Sequence, residues 1–251
     1  MSTFILPNSS PECQRSLATQ ISAEHTFHTS PYRLRKIEVQ VVDYFGKGRI
    51  GFLKLQTDVS NDDGEKLPGC VFMRGGSVGM LVILQPDDIP PGTETEKQVI
   101  LTIQPRIAAG SLSFSEIPAG MLDDSGTFSG GAAKEIQEET GLQVQESELI
   151  DMTALALSDS PTQEGEENLQ QGVYPSPGGC DEYIPLFLYE KRIPRSQMRE
   201  FQGKLTGLRE EGERITLKLV RLERLWGEGA RDGKTLAAWA LYSGLKGEGK
   251  I

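Results

Sequence analysis

The 251-residue chain is poor in cysteine, histidine and tryptophan, carries fewer basic than acidic side chains, and has no long apolar run. Its three cysteines, Cys13, Cys70 and Cys180, are an odd number at wide spacing with no CxxC pair. They are neither a disulfide framework nor a zinc site, and they read as the reduced thiols of a cytosolic or nuclear protein. His25 and His28, the two histidines, have no ligand-spaced partners. The longest apolar stretch, residues 78–84, is far short of the ~20 residues that a membrane span requires and suits a buried strand, so no membrane partner is expected. Within the first thirty residues Arg15 is the only Lys or Arg. An organellar transit peptide is Arg-rich, so the expected location is cytoplasmic. There is no internal repeat and no low-complexity tract.

Lys and Arg number 26 against 36 Asp and Glu, a net charge of −10. Gripping a nucleic-acid backbone works through clustered cations that release counterions, so nucleic acid is not an expected partner. The acid excess does not exclude an anionic small molecule whose contact a cation mediates.

Three regions follow from composition and periodicity. Residues 1–31, with Pro7, Pro11 and Pro31, read as an irregular leader. Residues 32–70 read as a small antiparallel β subdomain. Leu34, Ile37, Val39 and Val41 alternate, Phe52, Leu53 and Leu55 follow a Gly46-Lys47-Gly48 turn, and Asn61-Asp62-Asp63-Gly64 is a turn signal. Residues 71–251 form the larger unit. Strands are expected at 77–84, 98–104, 183–189 and 214–220, with Pro185 marking an edge or a bulge. Helices are expected at 127–141 and 231–245, the latter from Leu236, Trp239, Ala240 and Leu241 at helical spacing. Residues 155–179 make a long loop. This pattern is that of an α+β or α/β/α sandwich.

The helix over 127–141 holds the informative chemistry. Ser129 is a candidate N-cap, Ala132, Ala133, Ile136 and Thr140 fall on one stripe, and Gly141 suits a left-handed C-cap. The remaining face carries Glu135, Glu138 and Glu139. At about 100° per residue Glu135 and Glu139 lie one turn apart on one side, with Glu138 beside them. Like charges at that spacing destabilise a helix, and anions near its C-terminus oppose the macrodipole. A hard divalent cation resolves the conflict, because it prefers carboxylate oxygens on a rigid frame. The bland alternative is a solvated acidic face partly neutralised by Lys134.

The stretch from Gly120 onward resembles the Nudix box, G-x5-E-x7-R-E-U-x-E-E-x-G-U, where U is a bulky aliphatic. Gly120, Glu135, Ile136, Glu138, Glu139, Gly141 and Leu142 match, while Gly126 stands where the first Glu belongs and Lys134 where Arg belongs. The resemblance covers about residues 70–245. Arg74-Gly75-Gly76-Ser77-Val78, Gln104-Pro105-Arg106, Glu116-Ile117-Pro118-Ala119-Gly120 and Ser176-Pro177-Gly178-Gly179-Cys180-Asp181-Glu182 are similar to the nucleoside-diphosphate-sugar branch of that family. The segment from Gly203 to Glu210 and the pair Leu225-Trp226 are similar to its plant-type ADP-sugar group.

The resemblance implies a Nudix α/β/α sandwich with a mixed sheet, preceded by the small antiparallel subdomain. It implies Mg²⁺ or Mn²⁺ held by Glu135, Glu138, Glu139 and the Ala119 carbonyl, with Glu138 also serving catalysis. Glu182 is the implied general base, Arg106 and Arg74 the implied substrate contacts, and a homodimer the implied assembly. The implied reaction is hydrolysis of the pyrophosphate bond of ADP-ribose or ADP-glucose to AMP and a sugar phosphate. Two other readings share the box: a pyrophosphatase for a UDP-sugar or dinucleotide, and a Nudix-fold module that senses a nucleotide without cleaving it. Gly126 motivates the sensor; the retained Glu135, Glu138, Glu139 and Glu182 oppose it.

Overall fold

The computed structural model describes residues 31–45, 48–121, 127–158, 169–208 and 213–251. Most of the leader, Gly126, the Arg209-Glu210 pair and the middle of the 155–179 loop lie outside the described residues.

The N-terminal sheet is built from β1 (Arg33–Phe45), β2 (Arg49–Ser60), β3 (Lys66–Leu67) and β4 (Cys70–Met73), with β2 paired to all three others. Asn61 organises the turn after β2: its Oδ1 accepts from the backbone N–H groups of Asp63 and Glu65, and Gly64 supplies a φ of +86°. Expected alternation along β1 fails at two places. Register shifts between Leu34 and Lys36, and between Val39 and Val41, each insert a bulge that reverses side-chain parity. Ile37, Val39 and Val42 therefore face the small core of Ile50, Leu53, Leu55 and Met73, and Val41 is turned out to water.

β5 (Ser77–Pro86) is buried at every residue and forms the spine of a second, mixed sheet. β10 (Leu186–Ile193) pairs with it in parallel from Gly79 to Pro86. On its other edge lie β6 (Gln98–Arg106) and β8 (Ala119–Met121), both antiparallel. Beyond them β12 (Ile215–Arg221) and β7 (Ser111–Glu116) pair with β6, β11 (Leu205–Thr206) with β12, and β9 (Ile150–Asp151) with β10. Pro185 is neither at an edge nor in a bulge. It immediately precedes β10, an interior strand, where its missing N–H breaks no ladder bond and its carbonyl accepts from Gly79.

Alternation along β5 assigns each face its helices. Val78, Met80, Val82 and Leu84 meet Ala132 and Ile136 of α1 (Phe128–Thr140) and Met198 and Phe201 of α3 (Arg195–Phe201). Leu81 and Ile83 meet Met152 of α2 (Met152–Leu157), Leu225 of α4 (Leu225–Glu228), and Ala238, Tyr242 and Leu245 of α5 (Gly233–Gly247). The result is an α/β/α sandwich with a mixed sheet, preceded by the antiparallel N-terminal sheet. In α5 the buried stripe runs through Thr235, Ala238, Tyr242 and Leu245, one step round the helix from the expected one. Leu236, Trp239 and Leu241 are only partly buried and Ala240 is exposed, because Ala238, Tyr242 and Leu245 pack in the core and Thr235 accepts from the Ile117 N–H.

Candidate active site

Ser77, Val78 and Gly79 of β5 pair with Met121, Gly120 and Ala119 of β8, so the Ala119–Gly120 backbone is held at the sheet edge below α1. Thr127, not Ser129, caps that helix: its Oγ1 accepts from the Gly130 N–H at 3.0 Å, while Ser129 Oγ donates to Glu146 Oε2 at 2.8 Å. Thr127 is the residue with extended backbone (φ −126°, ψ 150°), and only there can a hydroxyl reach back to the free N–H groups. Gly141 closes the helix at φ +79° as expected. Lys204 Nζ reaches the Thr140 carbonyl at 3.4 Å, which places a cation at the negative end of the helix.

This frame aims two glutamates at β8. Glu139 is 5% exposed, and its Oε2 accepts from the Ala119 N–H at 3.1 Å while Gln104 Nε2 approaches Oε1 at 3.4 Å. Glu135 lays its carboxylate over Gly120, occupying the space that any Cβ there would fill. Burial first, and the charge of Glu135 second, push the Glu139 carboxyl well above the usual carboxylate range; the Ala119 N–H opposes them. Glu138 lies beside the pair, 4.0 Å from Lys134 Nζ and a quarter exposed. Thus Ala119, Glu135 and Glu139 come together, with Glu138 at their flank. Among the described residues no three carboxylate, imidazole or thiol side chains converge on one point. The two carboxylates offer oxygen donors of the kind that hard divalent cations prefer. A buried carboxylate whose pKa is raised by a second one is the group such a cation would relieve, so these residues fit the ion.

Glu182 stands at the start of the β10 arm. Its Oε1 accepts from Ser77 Oγ at 2.7 Å and pairs with Arg74 Nη1 at 3.0 Å, and its side chain is 13% exposed. Arg74, expected at substrate, therefore spends its guanidinium on the expected base in this structure.

Arg106 is likewise engaged. Its Nε donates to Glu116 Oε1 at 2.6 Å, and Lys234 Nζ donates to the other oxygen at 2.7 Å and to Asp232 Oδ1 at 2.9 Å. Asp232 Oδ2 in turn accepts from the N–H and hydroxyl of Thr235, whose Oγ1 accepts from the Ile117 N–H. This network ties the strand before the box to the first turn of α5. Burial alone would lower the Lys234 pKa, but Glu116 and Asp232 override it and raise it above the ordinary lysine value. Lys234→Met strands two buried carboxylates that retain only partial compensation. It is expected to destabilise the fold by about 3 kcal/mol, the lower end for breaking a buried pair, read from urea unfolding, with Lys234→Arg close to wild type.

The sequence alone gives no role to Gln104, Glu116, Ser77, Asp181 or Lys234. The first four lie within or beside segments that carry the family resemblance. Nothing in the sequence around Lys234 pairs it with Glu116, 118 positions away.

The mixed sandwich, the acidic helix over a strand edge and the carboxylate-bearing arm define a protein of the Nudix fold. A model described as NUDIX domain matches residues 88–239, and the chain belongs to the Nudix family. Over 220 residues it is 39% identical to Nudix hydrolase 14, chloroplastic, of Arabidopsis thaliana, an alignment that covers 87% of this chain. The chain spans 65% of the length of that relative. The fold is also similar to a solved structure titled "Crystal structure of ADP compounds hydrolase", at a TM-score of 0.52 and 15% identity over 87% of this chain and 98% of that one.

Proposed function

We propose that the chain is a divalent-metal-dependent hydrolase that cleaves the pyrophosphate bond of ADP-sugars such as ADP-ribose and ADP-glucose, releasing AMP and a sugar phosphate. The observation that carries this reading is the Glu135–Glu139 pair set over Ala119 and Gly120, with Glu139 buried. The names of the two similar proteins, a Nudix hydrolase and an ADP compounds hydrolase, support it. Glu135, Glu139, the flanking Glu138 and the Ala119 carbonyl would hold Mg²⁺ or Mn²⁺. Such an ion, when bound, screens the diphosphate charge and acidifies a water. Glu182 takes the proton of the attacking water, and Ser77 and Arg74 hold its carboxylate in place. Water adds at phosphorus as the bridging P–O bond breaks, and the two phosphates leave. Arg106 keeps Nε on Glu116 and, at 41% exposure, turns the rest of its guanidinium to phosphate or ribose.

AMP release from ADP-ribose or ADP-glucose should require Mg²⁺ or Mn²⁺ and stop with EDTA, read by chromatography of the products. Nucleotide binding with no AMP under either metal would instead establish a sensor.

The proposed assembly is a homodimer. Val41 and Tyr44 of β1 and Phe72 of β4 are large apolar side chains open to water on the N-terminal sheet. Sedimentation should give twice the 27.5 kDa chain mass, and Tyr44→Lys should shift the boundary to the monomer.

A further inference from the structure

Glu182 occupies the point where the chain passes from one sheet to the other. On its N-terminal side, residues 179–181 run alongside β4: Phe72 N–H donates to the Gly179 carbonyl at 2.8 Å, Asp181 N–H to the Phe72 carbonyl at 3.3 Å, and Phe72 and Cys180 form a parallel bridge. On its C-terminal side, Ser77 N–H donates to the Tyr183 carbonyl at 3.1 Å, which begins the pairing of β10 with β5. Asp181 fastens the crossing. Its Oδ1 accepts from the Arg74 N–H at 2.8 Å and the Gly75 N–H at 3.3 Å. Gly75, at φ +78°, turns its N–H beside that of Arg74, so two consecutive donors converge on one carboxylate oxygen. The same Arg74 reaches Glu182 with its side chain. One residue thus holds Asp181 through its backbone and Glu182 through its guanidinium.

We infer that Asp181 is a positioning residue: by docking the 179–182 stretch on the Arg74–Gly75 turn it sets where the Glu182 carboxylate stands, which makes the N-terminal sheet part of the catalytic support. The inference rests on the reading that Glu182 takes the proton of the attacking water. A carboxylate that merely filled a turn would lower stability on removal and leave turnover of the folded protein alone.

The full-length chain is assayed for AMP release from ADP-ribose with Mg²⁺. Asp181→Ala is expected to lower kcat on the order of 10²-fold, the scale of a small misplacement of a catalytic group, with KM nearly unchanged. Asp181→Asn, whose side-chain oxygen can accept from the same two N–H groups, should restore most of the rate. The double variant Asp181→Ala/Glu182→Gln should be no slower than Glu182→Gln alone, because the two residues act as one unit. Amide hydrogen exchange at Arg74 and Gly75 should quicken in Asp181→Ala and not in Asp181→Asn. If the alanine variant does not fold, Asp181→Ser takes its place, since its shorter hydroxyl cannot reach both amides. Wild-type kcat in the folded Ala or Ser variant, or losses that multiply in the double variant, overturns the role of Asp181. Full turnover by Glu182→Gln overturns the reading beneath it, and the inference falls with that reading.

Discussion

Glu139→Gln is expected to reduce kcat for AMP release by about 10²–10³-fold or more, the scale on which one electrostatic partner of a developing charge is lost. The fold should survive unchanged. Glu139 is almost fully buried, and the Ala119 N–H that donates to it finds an acceptor equally well on a glutamine side-chain oxygen. Without a cation the wild-type carboxylate is the strained species, because burial and then Glu135 disfavour its charge. The folded chain therefore holds that proton more tightly than the unfolded chain does, and stability falls as pH rises through the raised pKa. Glutamine has no such slope. In EDTA the variant should melt at or above the wild-type Tm at pH 8, with the difference narrowing towards pH 5. Full turnover by a well-folded Glu139→Gln would remove this residue from the proposed metal set.

Gly120→Ala should separate activity from stability most sharply. A Cβ at this position would lie inside the Glu135 carboxyl group. Gly120 has no positive φ, so alanine meets no backbone strain there. The colliding atoms are the end of a long side chain, which can swing away at little cost to the fold. Gly69 is the contrast, because a Cβ there would strike the Thr57 carbonyl, which is fixed in β2. The expected result for Gly120→Ala is a Tm close to wild type with kcat lower on the order of 10²-fold, since one ligand arm no longer stands over β8. Retained activity would show that Glu135 does not work from its place above Gly120.

The elements legible in the sequence were those fixed by local chemistry. The acidic helix announced itself through periodicity and a C-terminal glycine, and β5 through a run of apolar residues between turn signals. The pairing of Glu135 with Glu139 followed from helical geometry alone. What was missed depended on partners far along the chain or on the phase of a single residue. Thr127 and Ser129 are both good caps by type, and only the backbone conformation selects Thr127. Val42 replaces Val41 in the small core because a bulge intervenes, and no residue type in β1 marks that bulge. The resemblance marks Arg106 as a substrate contact, but its lock to Glu116 and Lys234 needs the first turn of α5 to arrive from the opposite face.

The parallel pairing of β5 with β10 also sets a clock for synthesis. Gly79 and Leu186 are neighbours in the finished sheet yet 107 positions apart in the chain. Closing a loop of that length costs about 4 kcal/mol in chain entropy before any contact repays it. During translation β5, buried along its whole length in the finished fold, leaves the ribosome and waits for β6 through β9 and two helices to be made before its parallel neighbour exists. The glutamate helix is synthesised within that interval, so it can meet β5 and β8 early, while Phe187 and Tyr189 of β10 complete its core only later. Interrupted or slowed synthesis before Ile193 would leave this strand, buried at every residue in the finished fold, without the partner that covers one of its edges.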